Sequence, residues 1–230
     1  MPTLNWLKRE ILKPKLQSKL PTNQSGAIIR KAKPYTMSSP DRIENLINLA
    51  NFVNFKSVEG DFVECGTYKG GTAAVLSKYM GKNRHLWLYD SFEGMPSTTD
   101  KDGEEAKKWI GECVGSVEDV REAMKLFSTS KEYYTIKKGW FEQTFREQLP
   151  KKVALLHCDA DWYNSVTLVL DTFYQLIPEG GCIVLDDFGY WEGCREAFYD
   201  FCIRNNEKPL LERVGSTQAF WIKGKLNNRS

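Results

Sequence analysis

Asp61-Phe-Val-Glu-Cys-Gly-Thr-Tyr-Lys-Gly-Gly-Thr72 decides the fold. An apolar run ends at Gly66, and Gly70 and Gly71 precede a stretch whose apolar residues recur at helical spacing. This pattern predicts a strand, a tight turn and a helix start. The glycines predict a backbone that passes close to a ligand, and Thr72 is expected to cap the helix. A dinucleotide fingerprint would need glycine where Tyr68 stands. The turn carries instead an acid, Glu64, two residues before its first glycine. A carboxylate there would repel a pyrophosphate and suits a cationic ligand with an amino group. A tight turn that holds no ligand would use the same glycines.

Strands and helices alternate outward from this stretch. A helix is expected over Thr72–Met80 and a strand over Leu86–Asp90, with a weaker strand at Tyr134–Lys138. Asp90 stands where an acid can accept both hydroxyls of a ribose, or merely cap a turn. Val153–Asp159 and Cys182–Asp187 are apolar strands ending in acids. Between them Ser165–Ile177 carries Val166, Val169, Leu170, Phe173 and Leu176 on one helical stripe. Cys194–Arg204 reads as a helix, and Leu210–Val214 with Ala219–Lys223 as a closing hairpin. Upstream, Asp41 offers an N-cap for a helix over Arg42–Phe55, while Pro2, Pro14, Pro21, Pro34 and Pro40 forbid one long helix across residues 1–40. The alternation predicts an α/β fold, a mostly parallel, doubly wound sheet with helices on both faces. Ligands bind outside the carboxyl ends of such strands. The segments to interrogate are therefore Glu64–Gly71, Asp90–Gly94, Gly139–Phe141, His157–Asp161 and Asp186–Asp187.

Two of those ends are acidic, Asp159-Ala160-Asp161 and Asp186-Asp187. If their strands are neighbours, four carboxylates meet and repel one another unless a cation neutralises them. Oxygen-only ligands point to Mg²⁺ or a similar hard ion, and one acid could stay free as a base. A metal would lower the pKa of a substrate hydroxyl and orient it. Any single one of these acids could instead cap the next helix. Strand alternation puts His157 on the face of Asp159, but deeper, where it would be either a core histidine or a substrate contact. Three rival readings exist. A glycosyltransferase also uses an Asp-x-Asp pair, but leaves Glu64 and its turn unexplained. A nicotinamide oxidoreductase lacks its second glycine. A non-catalytic nucleotide-binding protein has no need of four acids.

The chain has 230 residues, 41% hydrophobic and 27% charged, with a net charge of +2. That is enough to fold a domain without disulfides, and it gives no reason to expect a nucleic-acid partner. The charge is uneven: residues 1–33 hold eight Lys/Arg against Glu10. We read residues 1–40 as a basic N-terminal arm or lid and 41–230 as the catalytic domain. The arm would be solvated, or touch an anionic surface or a partner subunit. Six cysteines stand singly, without a Cys-x-x-Cys pair, and only two histidines exist, so structural zinc is not expected. Cys65, Cys158 and Cys182 sit in apolar runs as small hydrophobes. The expectation is a reducing, cytoplasmic setting, with no secretory signal and no membrane span.

The chain resembles the macrocin O-methyltransferase family, whose members methylate sugar hydroxyls on macrolides and related natural products. The likeness rests on Gly60–Thr72, on Tyr89-Asp-Ser-Phe-Glu-Gly-Met-Pro96, on His157-Cys-Asp-Ala-Asp-Trp-Tyr163 and on Gly180-Gly-Cys-Ile-Val-Leu-Asp-Asp-Phe188. Tyr35-Thr36-Met37 and Gly139-Trp-Phe-Glu-Gln-Thr144 support it. The resemblance implies a seven-stranded, Rossmann-like class I methyltransferase fold with a C-terminal antiparallel strand. It implies S-adenosylmethionine bound by Glu64, Gly66, Thr67, Tyr68, Gly70, Thr72, Asp90, Ser91, Phe92, Gly139, Trp140 and Asp159, with Thr36 and Met37 closing over it. It further implies Mg²⁺ on Asp159, Asp186 and Asp187, Asp161 as general base, a sugar or glycoside as acceptor, and a homo-oligomer. The sequence departs from the family at Trp162, Phe188 and Lys69, where Leu, Tyr and Arg are common. Trp162, Tyr163, Tyr190 and Trp191 would make the mouth aromatic, stacking on a sugar or packing as rim and core.

Overall fold

The computed structural model describes residues 22–225. The basic residues Lys8 to Lys19 of the expected arm, and Arg229, lie outside the described residues. The chain opens with α1 (Thr22–Ala32) and α2 (Pro40–Phe55), then runs β1 (Asp61–Cys65), α3 (Gly71–Tyr79) and β2 (Leu86–Asp90). There follow α4 (Gly103–Ala106), α5 (Val117–Leu126), β3 (Tyr134–Lys138), α6 (Phe141–Thr144), β4 (Val153–Cys158) and α7 (Tyr163–Phe173). The chain closes with β5 (Cys182–Leu185), α8 (Glu192–Asn205), β6 (Glu212–Val214) and β7 (Gln218–Ile222).

The sheet has seven strands in the order β3-β2-β1-β4-β5-β7-β6. The first five pair in parallel, and β7 joins β5 antiparallel with β6 as its hairpin partner. This is the doubly wound class I methyltransferase arrangement. Strand order reverses between β1 and β4, and the crevice at the carboxyl ends of such a switch point is where ligands enter. Register there sets Glu64 opposite His157 and Cys65 opposite Cys158.

The central strands are buried on both faces, which is why they read as apolar runs rather than alternating ones. Phe62, Leu86, Leu88, Cys182 and Val184 pack with α1, α2, α3 and α5 on one side. Val63, Cys65, Leu156, Cys158, Ile183 and Leu185 pack with α7 and α8 on the other. Each fully buried aliphatic side chain is worth about 1.5–3 kcal/mol against exposure, so the sheet is a rigid platform for its strand-end residues.

Helix starts differ from expectation. Pro40 takes the first helical position of α2, so Ser39 is its N-cap and Asp41 lies inside the first turn. Thr72 does not cap α3; Gly70, in the left-handed region at φ 84°, does, and Thr72 is buried in the first turn. Helix α5 was not expected, although Ser116 caps it by accepting the Asp119 N–H at 3.0 Å. Among the described residues no helix is long and apolar enough to cross a membrane.

Candidate active site

At the end of β1 the chain turns through Gly66, with φ 86°. The Cβ sides of Gly66, Gly70 and Gly71 face the Asp159 carbonyl, Val120, and the Tyr35 carbonyl with the Thr36 side chain respectively. On that side the three glycines admit neighbouring chain, not a ligand, which corrects the simplest reading of the motif. The turn is pinned by Asp90 at the end of β2. Its Oδ2 accepts the Thr67 and Tyr68 N–H groups, both at 2.8 Å, and its Oδ1 accepts that of Phe92 at 2.7 Å. Burial raises the pKa of Asp90, and those three bonds pull it back only in part. A carboxylate has about four acceptor sites, so Asp90 retains room for one more well-formed bond, where the sequence suggested two ribose hydroxyls.

Beside this turn opens a cavity of about 380 Å³, within the size range of small-molecule sites. Gly66, Thr67, Tyr68, Thr72, Asp90 and Ser91 line one wall, Trp140 another, and Thr36 and Met37 a third. Asp159, Asp161, Asp186 and Asp187 line the deep end. Glu64, Gly70, Phe92 and Gly139 do not line it. Glu64 is fully buried beneath the turn, and Phe92 belongs to the hydrophobic core.

The acids at the ends of β4 and β5 do converge. Single carboxylate oxygens of Asp159, Asp161 and Asp187 lie within 4.8 Å of one another, and His157, Asp159 and Asp186 form a second such group. Burial first, then the neighbouring aspartates, push Asp159 and Asp161 far above the usual carboxylate range. Burial and Asp186 raise Asp187 to about 6. Asp186 behaves differently. Burial would raise it too, but His157, Arg42 and Gln218 outweigh that and hold it below its ordinary value. His157 Nε2 lies 3.3 Å from Asp186 Oδ1, which also accepts the Gln218 amide at 2.6 Å, while Arg42 donates to Oδ2. The other ring nitrogen of His157 lies 2.9 Å from Glu64 Oε1. Burial opposes a charged imidazole, but Asp186 and Glu64 override it and raise His157 to about 9. His157 is thus a core histidine linking two acids, fully buried and absent from the cavity wall.

Asp161 sits in the left-handed region at φ 56°, at the apex of a three-residue turn closed by the Trp162 N–H on the Ala160 carbonyl at 2.6 Å. Strained backbone of this kind concentrates at functional sites. The indole N–H of Trp191 donates to Asp161 Oδ1 at 2.9 Å.

Among the described residues, the buried oxygens without a hydrogen-bond partner include three around this site: Asp187 Oδ2, Glu64 Oε2 and Thr67 Oγ1. Unpaired buried acceptors are costly. The first lies in an all-oxygen cluster suited to a hard divalent cation. Of the other two, Thr67 lines the cavity, where a ligand with an N–H or O–H donor would satisfy it, whereas Glu64 lies beneath the turn and does not reach the cavity wall.

The family model of macrocin-O-methyltransferase (TylF) matches residues 19–223. The chain belongs to the macrocin O-methyltransferase family. It is an S-adenosylmethionine-dependent O-methyltransferase. It is 28% identical to an 8-demethyl-8-(2,3-dimethoxy-alpha-L-rhamnosyl)-tetracenomycin-C 4'-O-methyltransferase of Streptomyces olivaceus, over 81% of this chain and 75% of that one. It is 27% identical to a demethyldecarbamoylnovobiocin O-methyltransferase of Streptomyces niveus, over 83% of this chain and 76% of that one. The solved structure of the O-methyltransferase NovP shares its fold, with a TM-score of 0.75 and 23% identity over 83% of each chain. Membership in the macrocin O-methyltransferase family removes the glycosyltransferase and nicotinamide readings.

The macrocin-type fold adds a roof that its sequence did not disclose. Met95, Pro96, Trp109 and Cys113 line the cavity from the segment between β2 and α5. Buried Asp102 ties this roof down: Oδ1 accepts the Tyr163 N–H at 2.6 Å, and Oδ2 accepts the Thr99 N–H and hydroxyl at 2.6 and 2.8 Å. Of the four expected mouth aromatics, Tyr190 and Trp191 line the cavity. Trp162 is core, donating to the Pro96 carbonyl at 3.0 Å, and Tyr163 turns away to Asp200. Trp191 packs edge-on against Trp162, Tyr190 and Trp109. Arg42, Asp102 and Gln218 are polar residues that sequence reasoning missed; each reaches the site through a partner distant in sequence (Asp186, Tyr163 and Asp186 respectively), so no local signal marks that role.

Proposed function

We propose that this methyltransferase acts on a hydroxyl of a sugar or glycosylated small molecule with the assistance of Mg²⁺. The observation that carries the metal is the convergence of Asp159, Asp161 and Asp187 with a buried, partnerless oxygen on Asp187. The names of the two Streptomyces relatives, one for a rhamnosyl-tetracenomycin and one for demethyldecarbamoylnovobiocin, support a glycoside or related natural product as acceptor. The cavity's aromatic wall, Trp109, Tyr190 and Trp191, suits the apolar face of a sugar ring or its aglycone.

Bound S-adenosylmethionine supplies a sulfonium methyl group, and Mg²⁺ supplies positive charge that makes an acceptor hydroxyl more acidic. The residues do the rest. Thr67, Tyr68, Asp90, Ser91 and Trp140 would hold the nucleoside, with Glu64 charge-compensating from below. Asp159 and Asp187, which converge with Asp161, would hold the ion, whereas Asp186, expected as a third ligand, has its acceptor sites taken by His157, Gln218, Arg42 and Ser38 and would anchor those residues beside it. Asp161 would take the hydroxyl proton on Oδ2, since Oδ1 is engaged by Trp191. Positioning of hydroxyl and methyl donor in one cavity would supply much of the rate. An assay for transfer of labelled methyl to a panel of glycosides and phenols, with and without EDTA, tests the reading. Asp161→Asn should lower kcat by about 10²–10⁴-fold with S-adenosylhomocysteine affinity within about twofold of wild type. Undiminished transfer in EDTA, or wild-type kcat in the variant, would overturn the metal or the base assignment respectively.

A further inference from the structure

Helix α2 delivers Arg42 into the acid cluster, and the chemistry above gives this residue no task. Its side chain is only 14% exposed. Nη1 donates to Asp186 Oδ2 and stands 4.0 Å from Asp187 Oδ1, while Nη2 donates to the Met37 carbonyl at 3.2 Å. Met37 belongs to a strap, Tyr35–Ser39, that crosses from the glycine turn to the acids. At one end Tyr35 and Thr36 lie so close to Gly71 that a Cβ there would approach their atoms to 2.7–2.8 Å. At the other, the Ser38 hydroxyl reaches Asp186 Oδ2 at 3.5 Å. Thr36, Met37 and Ser38 line the cavity between these ends.

We propose that Arg42 is a positioning residue that latches the Thr36–Ser39 strap over the cofactor cavity onto Asp186. One planar guanidinium spans both halves of the site, which a point charge cannot do. The same cation serves the cluster. Asp186, which Arg42 holds, lies in one potential ligand group with His157 and Asp159, and Arg42 Nη1 stands 4.0 Å from Asp187 Oδ1. Strap closure and the arrangement of the acids thereby depend on one side chain, and the two ligand subsites are coupled through it.

The latch rests on the reading of this cavity as the cofactor site, so the test separates the two. Calorimetry with S-adenosylhomocysteine, Mg²⁺ titration followed by tryptophan fluorescence, and amide hydrogen exchange across residues 35–42 would be run on the full chain. The variants are Arg42→Gln, Arg42→Lys, Ser38→Ala and Asp90→Asn. Arg42→Gln should weaken S-adenosylhomocysteine about tenfold or more and speed exchange of the strap amides, while Mg²⁺, relieved of a cation beside Asp186 and Asp187, should bind at least as tightly as to wild type. Arg42→Lys keeps the charge beside Asp186 and loses the second arm. It should leave Mg²⁺ affinity within about threefold of wild type, the cofactor product weakly bound and the strap fast-exchanging. A residue with only a structural role would lose both affinities together. Ser38→Ala should speed strap exchange to a smaller degree. Wild-type cofactor affinity and strap exchange in Arg42→Gln, or full recovery of cofactor affinity in Arg42→Lys, would overturn the latch. If Arg42→Gln does not fold, Arg42→Lys and Ser38→Ala decide. Loss of binding in Asp90→Asn alone sinks the latch and spares the cofactor site, whereas wild-type binding in Asp90→Asn sinks both.

Discussion

The indole nitrogen of Trp191 donates to Asp161 Oδ1 across 2.9 Å, from the N-cap of α8 to the apex of the strained turn after β4. One oxygen of the carboxylate is thereby fixed; with Asp161 as the proposed base, the other would face the incoming hydroxyl. Trp191→Phe removes this bond and keeps a ring against Trp162 and Trp109. A hydrogen bond to a charged group is worth about 1.5–3 kcal/mol, so kcat should fall roughly 10–100-fold by that measure, while the Kd for S-adenosylhomocysteine stays near wild type. Steady-state kinetics beside calorimetry would show this split; equal losses in both would assign Trp191 to packing.

Metal binding should depend on pH with a definite sign. The folded-state pKa values of Asp159 and Asp161 are far above the ordinary carboxylate value, and that of Asp187 is about 6. Acids shifted upward stabilise the metal-free fold when protonated, and that contribution is lost as pH rises through the shifted values. His157, raised to about 9, loses its share in the same direction above neutrality. The ion, conversely, needs the carboxylates ionised. The rise in Tm on adding Mg²⁺ should therefore be large at about pH 8, shrink as pH falls through the value near 6 for Asp187, and vanish in Asp187→Asn. Differential scanning fluorimetry across that range checks it, and a Tm rise that grows toward acid pH would contradict it.

Much of the site is legible in the amino-acid sequence. Strand ends stand out because parallel strands buried on both faces are mostly continuous apolar runs, and an acid at the close of such a run marks where the strand leaves the sheet. Asp90, Asp159, Asp186 and Asp187 are such residues, and their convergence follows once β1, β4 and β5 are neighbours. The roof is not legible. Asp102 caps Tyr163 from 61 positions upstream, and Arg42 meets Asp186 across 144. Pairs of that kind are products of the tertiary fold and leave no periodicity. The glycines mark the right place in the chain for a partly different reason: their Cβ sides are filled by protein.

Such filling predicts a contrast between two glycines of similar φ. A Cβ on Gly66 would lie 1.8 Å from the Asp159 carbonyl oxygen, against backbone that also positions the acid cluster. A Cβ on Gly111, at φ 79°, would meet nothing within 4 Å. Gly111→Ala should cost only the left-handed penalty, about 1–2 kcal/mol. Gly66→Ala should cost more than about 3 kcal/mol or prevent folding. Urea unfolding of the two variants measures the difference, and equal costs would mean that the turn relaxes away from β4.

The roof should separate acceptor binding from cofactor binding. Asp102 is 2% exposed, and its two oxygens accept three donors from Thr99 and Tyr163. It thus supplies the N-terminus of α7 with the cap that the helix lacks from its own N-cap residue, Trp162. Asp102→Ala strands those donors in a buried setting, at about 2–3 kcal/mol of stability. The same loss frees the segment that carries Met95, Pro96 and Trp109, whereas the Asp90-pinned turn stands on β1 and β2 and keeps its bonds. The acceptor KM should therefore rise by about tenfold, with the Kd for S-adenosylhomocysteine changed less than about threefold. Asp102→Asn keeps an acceptor for Tyr163 but sets an amide group against Thr99, so it should recover stability in part and acceptor binding in part. A variant that weakens cofactor and acceptor equally would show that the roof and the glycine turn move as one body, contrary to their separate anchors on Asp102 and Asp90.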